Sequence, residues 1–231
     1  NNMFKRLLTI LFIGIQTLTY SQTKLASFFS DHMVLQQNEK ASLWGKDKPK
    51  QKIKIETSWG EIISTKTDKA GNWIVKVQTP KAGGPYTIEI EGSDKIKLND
   101  VFIGEVWLCS GQSNMEMTVK GNRNQPINGS QEAILNGNNN QIRVFTVKKN
   151  SSLTPIDNLT GDWKIASNLT IGNFSAVAYF FGNQIHKTTQ VPVGLIVTSW
   201  GGSRAEAWTD QATLKEFKSV KFPTEIPTKG I

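Results

Sequence analysis

A chain of 231 residues, 38% hydrophobic and 20% charged, is long enough to bury one large core or two smaller ones, which argues against a disordered or fibrous protein. Its formal charge of +8 comes from scattered lysines with no basic run or interleaved aromatics, so nucleic acid is not an expected partner. The single Cys109 rules out an internal disulfide, and with only His32 and His186 beside it no transition-metal cluster of N/S ligands can be assembled.

Residues 3–22 begin with Lys5 and Arg6, continue as an apolar run over 7–18 and end on Thr19-Tyr20-Ser21. That order predicts a cleaved secretory signal over residues 1–21. Thr9, Gly14, Gln16 and Thr17 interrupt the run, which falls short of the ~20 residues needed to cross a bilayer. The mature protein is therefore expected to be secreted or periplasmic, with no membrane contact and a charge of about +6.

Over residues 25–99 short segments alternate apolar and polar positions: Lys52-Ile53-Lys54-Ile55-Glu56, Trp73-Ile74-Val75-Lys76-Val77 and Tyr86-Thr87-Ile88-Glu89-Ile90-Glu91. Period-two alternation predicts half-buried antiparallel strands, and Asp68-Lys69-Ala70-Gly71-Asn72 and Ala82-Gly83-Gly84-Pro85 carry turn chemistry between them. The expectation is an N-terminal β-sandwich. Trp44, Trp59 and Trp73 could stack on sugar rings, but in so small a sandwich they are assigned to its core.

From residue 100 the pattern changes. Val101 to Cys109 is almost continuously apolar, as in a strand buried on both faces of a parallel sheet. Residues 122–140, rich in Asn and Gly, predict loop with one helix around Ala133-Ile134-Leu135; 142–147 predict a strand, 174–187 a helix, 193–198 a buried strand and 210–217 a helix. Strand, helix, strand means α/β, and three such strands make an unusually small sheet, so the expected domain over 100–231 is incomplete.

Two strand ends carry chemistry. Ser110-Gly111-Gln112-Ser113-Asn114 follows the first buried strand, at the carboxyl edge where open α/β sheets bind ligands. Ser199-Trp200-Gly201-Gly202-Ser203 follows the last, where paired glycines let backbone N–H groups approach a developing oxyanion. Either could also be an ordinary strand-to-helix turn. The pattern around Ser113 is not Gly-x-Ser-x-Gly, because Met115 fills the final position. Glu105 and Glu116 form a conceivable glycosidase pair whose separation the spacing leaves open.

The stretch Gly104-Glu105-Val106-Trp107-Leu108-Cys109-Ser110-Gly111-Gln112-Ser113-Asn114-Met115-Glu116 closely resembles the nucleophile block of the sialate O-acetylesterase family, a branch of the SGNH hydrolases. Ser30-Asp31-His32-Met33-Val34-Leu35-Gln36-Gln37, the helix beginning Phe174-Ser175-Ala176, and Ser199-Trp200-Gly201-Gly202-Ser203 with Glu206-Ala207-Trp208 are similar to its other blocks, in family order. The resemblance implies a mixed fold: a β-sandwich leading into an SGNH-type α/β/α domain with a parallel sheet, removing acetyl groups from sialic acid or another acetylated glycan such as xylan. It implies Ser113 as nucleophile. It further implies the amides of Ser113, Gly201 and Gly202 as oxyanion donors, Gln112, Asn114 and Glu206 as lining residues, and no metal or organic cofactor.

The family's Asp-x-x-His block does not occur between Met115 and Ile231. A serine hydroxyl without an adjacent base is a poor nucleophile, so this chain is expected to be a fragment that is inactive or nearly so. His32 is assigned to the entry of the sandwich and His186 to a helix C-terminus, both structural. Cys109 is expected to be a small buried hydrophobe. A secreted, noncatalytic sugar-binding protein on the same architecture is the alternative expectation.

Overall fold

The computed structural model describes residues 22–222; the leader expected over residues 1–21 lies outside them. The chain is mixed α/β and mostly sheet. Three strands, β1 (Lys24–Leu25), β3 (Lys40–Lys46) and β6 (Asn72–Gln78), form one antiparallel sheet in the order β1-β3-β6. An eight-stranded sheet contains the rest: β2 (Val34–Gln36), β4 (Lys52–Thr57), β5 (Ile62–Lys66), β7 (Gly83–Glu91), β8 (Lys95–Gly111), β9 (Asn139–Val147), β10 (Gly161–Ala166) and β11 (Val193–Ser199). Its order is β10-β9-β11-β8-β7-β4-β5, with β2 on β8.

Alternation places the antiparallel strands as expected. Ile53 and Ile55 of β4 and Ile88 and Ile90 of β7 are buried, while the lysines and glutamates between them face outward. These isoleucines share one apolar cluster with Leu43, Trp73 and Val77 of the three-stranded sheet. Trp73 is buried; Trp44 stands edge-on to Phe29 and Trp59 edge-on to Tyr86, so all three tryptophans pack as the sequence predicts. The turn at Asp68 is closed by its own carboxylate, which accepts the N–H groups of Ala70 and Asn72, both at 2.8 Å. Of residues 82–85, expected as a turn, Gly83 to Pro85 instead open β7, where the register on β8 shifts between Gly83 and Tyr86.

The long strand β8 organises the molecule. Its first half pairs antiparallel with β7, and from Glu105 onward it pairs parallel with β11, which is also parallel to β9. The boundary expected at residue 100 thus falls inside one strand, at Asp100, a non-glycine residue with φ of +53°. Phe145 and Trp163, from β9 and β10, pack in the same apolar cluster as Ile53 and Ile90, so the core also crosses that boundary. β10, antiparallel to β9, was not legible in the sequence and raises the strands at this end of the sheet from three to four.

The run over residues 101–109 predicts burial on both faces, yet Trp107 is 41% and Leu108 is 68% exposed, which corrects that expectation. The cause is topological: beyond Glu105 no described strand pairs with β8 on the side away from β11, and only the N–H of Val106 is capped there, by Gln36 Oε1 at 2.8 Å.

The helices are α1 (Ser113–Glu116), α2 (Ser130–Asn136), α3 (Ala176–Thr189) and α4 (Gln211–Leu214). Helix α3 starts where Ser175 Oγ accepts the N–H of Ala178, and it buries Ala176, Ala178, Tyr179 and Gly182 toward β11. Its opposite face leaves Val177 half exposed. The helix expected over 210–217 is reduced to α4, started by the Asp210 carboxylate at Thr213 N–H, because its residues are almost all exposed and bury no apolar face.

Gly104, at the turnover point of β8, has a role that only the packing explains. A Cβ there would stand 2.0 Å from the backbone oxygen of Pro192, the residue that leads into β11. Gly104→Ala is expected to cost about 3 kcal/mol of folding stability, because backbone rather than a flexible side chain must move. Urea unfolding would measure it, and a loss under about 1 kcal/mol would contradict the close approach.

Candidate active site

The carboxyl ends of β8, β11 and β9, adjacent in the sheet, meet around one cleft of about 570 Å³. At the end of β8, Gly111 takes φ of +154° and the chain turns directly into α1, whose first residue is Ser113. Ser113 and Asn114 are exposed, and both line the cleft. Ser113 is therefore not packed in the interior. The α1 segment is stitched to the start of α3: Ala176 N–H donates to Met117 O at 2.8 Å, and Ser175 Oγ lies 3.4 Å from Met115 Sδ.

At the end of β11, Trp200 N–H donates to Gly111 O at 3.0 Å, which brings the following turn alongside α1. A Cβ added at Gly201 would stand 3.4 Å from Ser113 Oγ and 3.0 Å from Glu116 Oε2. A side chain there would press on the end of Glu116 and meet Ser113 Oγ at contact distance. Gly202, at φ of +79°, makes the turn that L side chains resist. Ser203 closes it from inside: its Oγ donates to Trp200 O and accepts the indole N–H of Trp208, both at 2.7 Å.

The Gly201 N–H donates to Glu116 Oε2, and Lys149, two residues past β9, reaches Glu116 Oε1 at 2.5 Å. The Lys149 hydrogen bond first, and then the Gly201 amide, hold the Glu116 carboxyl below its ordinary range. The N–H groups of Ser113 and Gly202 take no acceptor among the described residues.

Of the residues singled out from the sequence, Ser113, Asn114, Glu116 and Gly201 share the cleft wall. Gln112 is exposed just outside it, Gly202 faces open space, and Glu206 is exposed in the 3-10 turn Ala205–Trp208, away from the lining. Lys149, Thr146, Asn122, Asn173 and Ser175 line the cleft and were missed. Lys149 and Thr146 had one usable signal, their place at the carboxyl end of a strand; the others lie on a loop, a 3-10 turn and a helix start whose placement depends on the fold.

Neither histidine approaches Ser113. His32 Nδ1 bonds Asp100 Oδ2 at 2.6 Å, eleven strand residues from Gly111, which at ~3.3 Å per residue is roughly 30 Å away or more. His186 Nδ1 bonds Val191 O at 2.7 Å, beside the start of β11, roughly 20 Å from its carboxyl end. Glu105 sits at that same far end, holding Gln37 Nε2 at 2.8 Å, so it stands roughly 20 Å from Glu116, beyond the reach of a glycosidase pair. Burial pushes the Cys109 thiol up, consistent with an unreactive side chain. Among the described residues no three His, Cys, Asp or Glu side chains gather to hold a metal ion, and no helix is long and apolar enough to cross a membrane.

Known proteins resemble this arrangement along most of the chain. Sialate O-acetylesterases of Mus musculus and Homo sapiens are 34% and 32% identical to it, each over 83% of this chain. The chain spans 38% and 40% of their respective lengths. The crystal structure of a carbohydrate acetylesterase from Xanthomonas citri superposes with a TM-score of 0.79 at 34% identity, over 85% of this chain and 44% of that one. The family model described as carbohydrate esterase, sialic acid-specific acetylesterase matches residues 103–221, from the middle of β8 past α4 and so across every strand end that forms the cleft. On that match, over more than half of its length, the chain belongs to the sialic acid-specific acetylesterase family of carbohydrate esterases.

Proposed function

We propose that the protein is an exported serine carbohydrate O-acetylesterase in which Ser113 attacks the acetyl carbonyl. The observation that carries this reading is the exposed Ser113 hydroxyl beside the glycine turn at Gly201, at the carboxyl ends of parallel strands. Attack on the ester yields a tetrahedral oxyanion, for which the unengaged N–H groups of Ser113 and Gly202 are the donors we assign; the Gly201 amide, expected as a third donor, is instead taken by Glu116 Oε2. Collapse releases the sugar hydroxyl and leaves an acetyl-enzyme, and water then releases acetate. Asn114 and Asn173 offer amide groups to the sugar from the cleft wall.

The base that takes the Ser113 proton is neither His32 nor His186, both far away, and we assign it to polypeptide outside these 231 residues. The spans of 38% and 40% of the relatives' lengths support that assignment. The 231-residue chain alone is then a poor esterase. Residues 25–99 act in this reading as a β-sandwich support, and residues 1–21 as the export signal.

The substrate class is an acetylated sugar, with sialic acid favoured by the mouse and human relatives. Acetate release from O-acetylated sialic acid and from acetylated xylo-oligosaccharides by the full-length protein tests it. Release from the first is expected to be faster; no release from either would sink the proposal.

A further inference from the structure

Glu116 ends the nucleophile block and has no part in the chemistry proposed above. It sits three residues after Ser113 on α1, so both side chains lie on the same side of that turn and face Gly201. One of its oxygens takes the Gly201 N–H and the other takes Lys149. A single carboxylate thus ties together the segments that follow β8, β11 and β9, the three strand ends around the cleft.

We propose that Glu116 is a positioning residue: clamped between Gly201 and Lys149, it sets the distance of the glycine turn from the Ser113 hydroxyl. This inference rests on the reading of Ser113 as nucleophile.

First, the turn lies against both groups: a Cβ at Gly201 would stand 3.0 Å from Glu116 Oε2 and 3.4 Å from Ser113 Oγ, so a shift of the turn changes both distances together. Second, the clamp is charge-assisted on both sides, and Glu116 and Lys149 are the only anion and cation lining the cleft, so no other described charge there competes for either. The Trp200 ring, 5.6 Å from Lys149 Nζ, restrains the lysine further. Third, Glu116 is unsuited to act as the base itself, since both oxygens are occupied and its carboxyl is held below the ordinary range. With side chains 38% and 44% exposed, the Glu116–Lys149 pair adds little to global stability. Its effect is local geometry, and local geometry is where ångström displacements are amplified in rate.

The test has two arms. In the ¹⁵N-labelled protein, the Gly201 amide resonance is expected to titrate with a midpoint below the ordinary glutamate range. That titration should vanish in Glu116→Gln and move to higher pH in Lys149→Met. A Gly201 amide that ignores pH, or titrates unchanged in Glu116→Gln, overturns the clamp whatever the activity.

In the full-length protein, Glu116→Ala is expected to lower kcat for an acetyl ester about 10- to 100-fold with KM within about twofold. Glu116→Gln should recover part of that loss, because its amide oxygen still accepts the Gly201 N–H while its NH2 group cannot accept from Lys149. Wild-type kcat in Glu116→Ala, or no recovery in Glu116→Gln, also overturns the proposal. Ser113→Ala separates the two claims: if it keeps wild-type activity, the nucleophile reading fails, and the amide titration alone decides whether the clamp exists.

Discussion

Ser113→Ala is expected to lower acetyl-ester hydrolysis by the full-length protein at least about 10³-fold, with the fold and the melting temperature unchanged. The hydroxyl is exposed at the mouth of the cleft and has no structural hydrogen bond among the described residues, so its removal leaves no cavity and no unpaired buried group. What disappears is the atom proposed to form the acyl-enzyme. The residual rate comes from binding and from amide donors that stabilise charge whichever nucleophile attacks. Initial rates of acetate release, corrected for spontaneous hydrolysis, make the measurement. A variant within tenfold of wild type would remove Ser113 from the mechanism.

The largest stability effect is expected far from that cleft, at Asp100. Arg143 is fully buried, stacked 4.1 Å above the centre of the Phe102 ring, and its guanidinium meets Asp100 Oδ1 at 2.9 Å, the Asp100 carbonyl and the Asn140 carbonyl. The same carboxylate takes His32 on its other oxygen. Asp100→Ala leaves the buried guanidinium without its counter-charge and releases the entry segment, at an expected cost of about 3–5 kcal/mol in urea unfolding. A loss under about 1 kcal/mol would show that the carbonyls alone suffice.

The pH dependence has a definite sign. Burial by itself would raise the Asp100 carboxyl, but hydrogen bonds from His32 and Arg143, aided by the guanidinium charge, outweigh it and hold the group below its ordinary value of 3.8. A depressed folded value means a contribution that is complete above the unfolded pKa and is lost as pH falls through the folded one. Stability should therefore drop on the acid side, below about pH 4, and Asp100→Asn should flatten that limb while lowering stability at neutral pH.

The strand-end serine was legible because it is local. The run ending at Cys109, the turn at Gly111 and the serine after it are consecutive, and their order alone places a hydroxyl at a strand end. The same holds for the alternation in β4, β6 and β7, whose period of two sorts side chains between core and solvent without reference to any partner. The extents of 101–109 and of 210–217 were less legible. Whether an apolar residue such as Leu108 is buried depends on a strand beside β8 and a layer above it, neither of which is encoded in residues 101–109 themselves.

By itself, then, the sequence determined the periodic elements, the identity of the strand-end serine and the glycine pair, and a resemblance to the family through the block over residues 104–116 and its companions. Only the tertiary structure decided that β8 is one strand serving two pairings, that both histidines lie at the wrong end of the sheet, and that Glu116 stands between Gly201 and Lys149. The division follows from range. Periodicity and turn chemistry act over a few residues, whereas residues 116, 149 and 201 become neighbours only because three parallel strands end side by side.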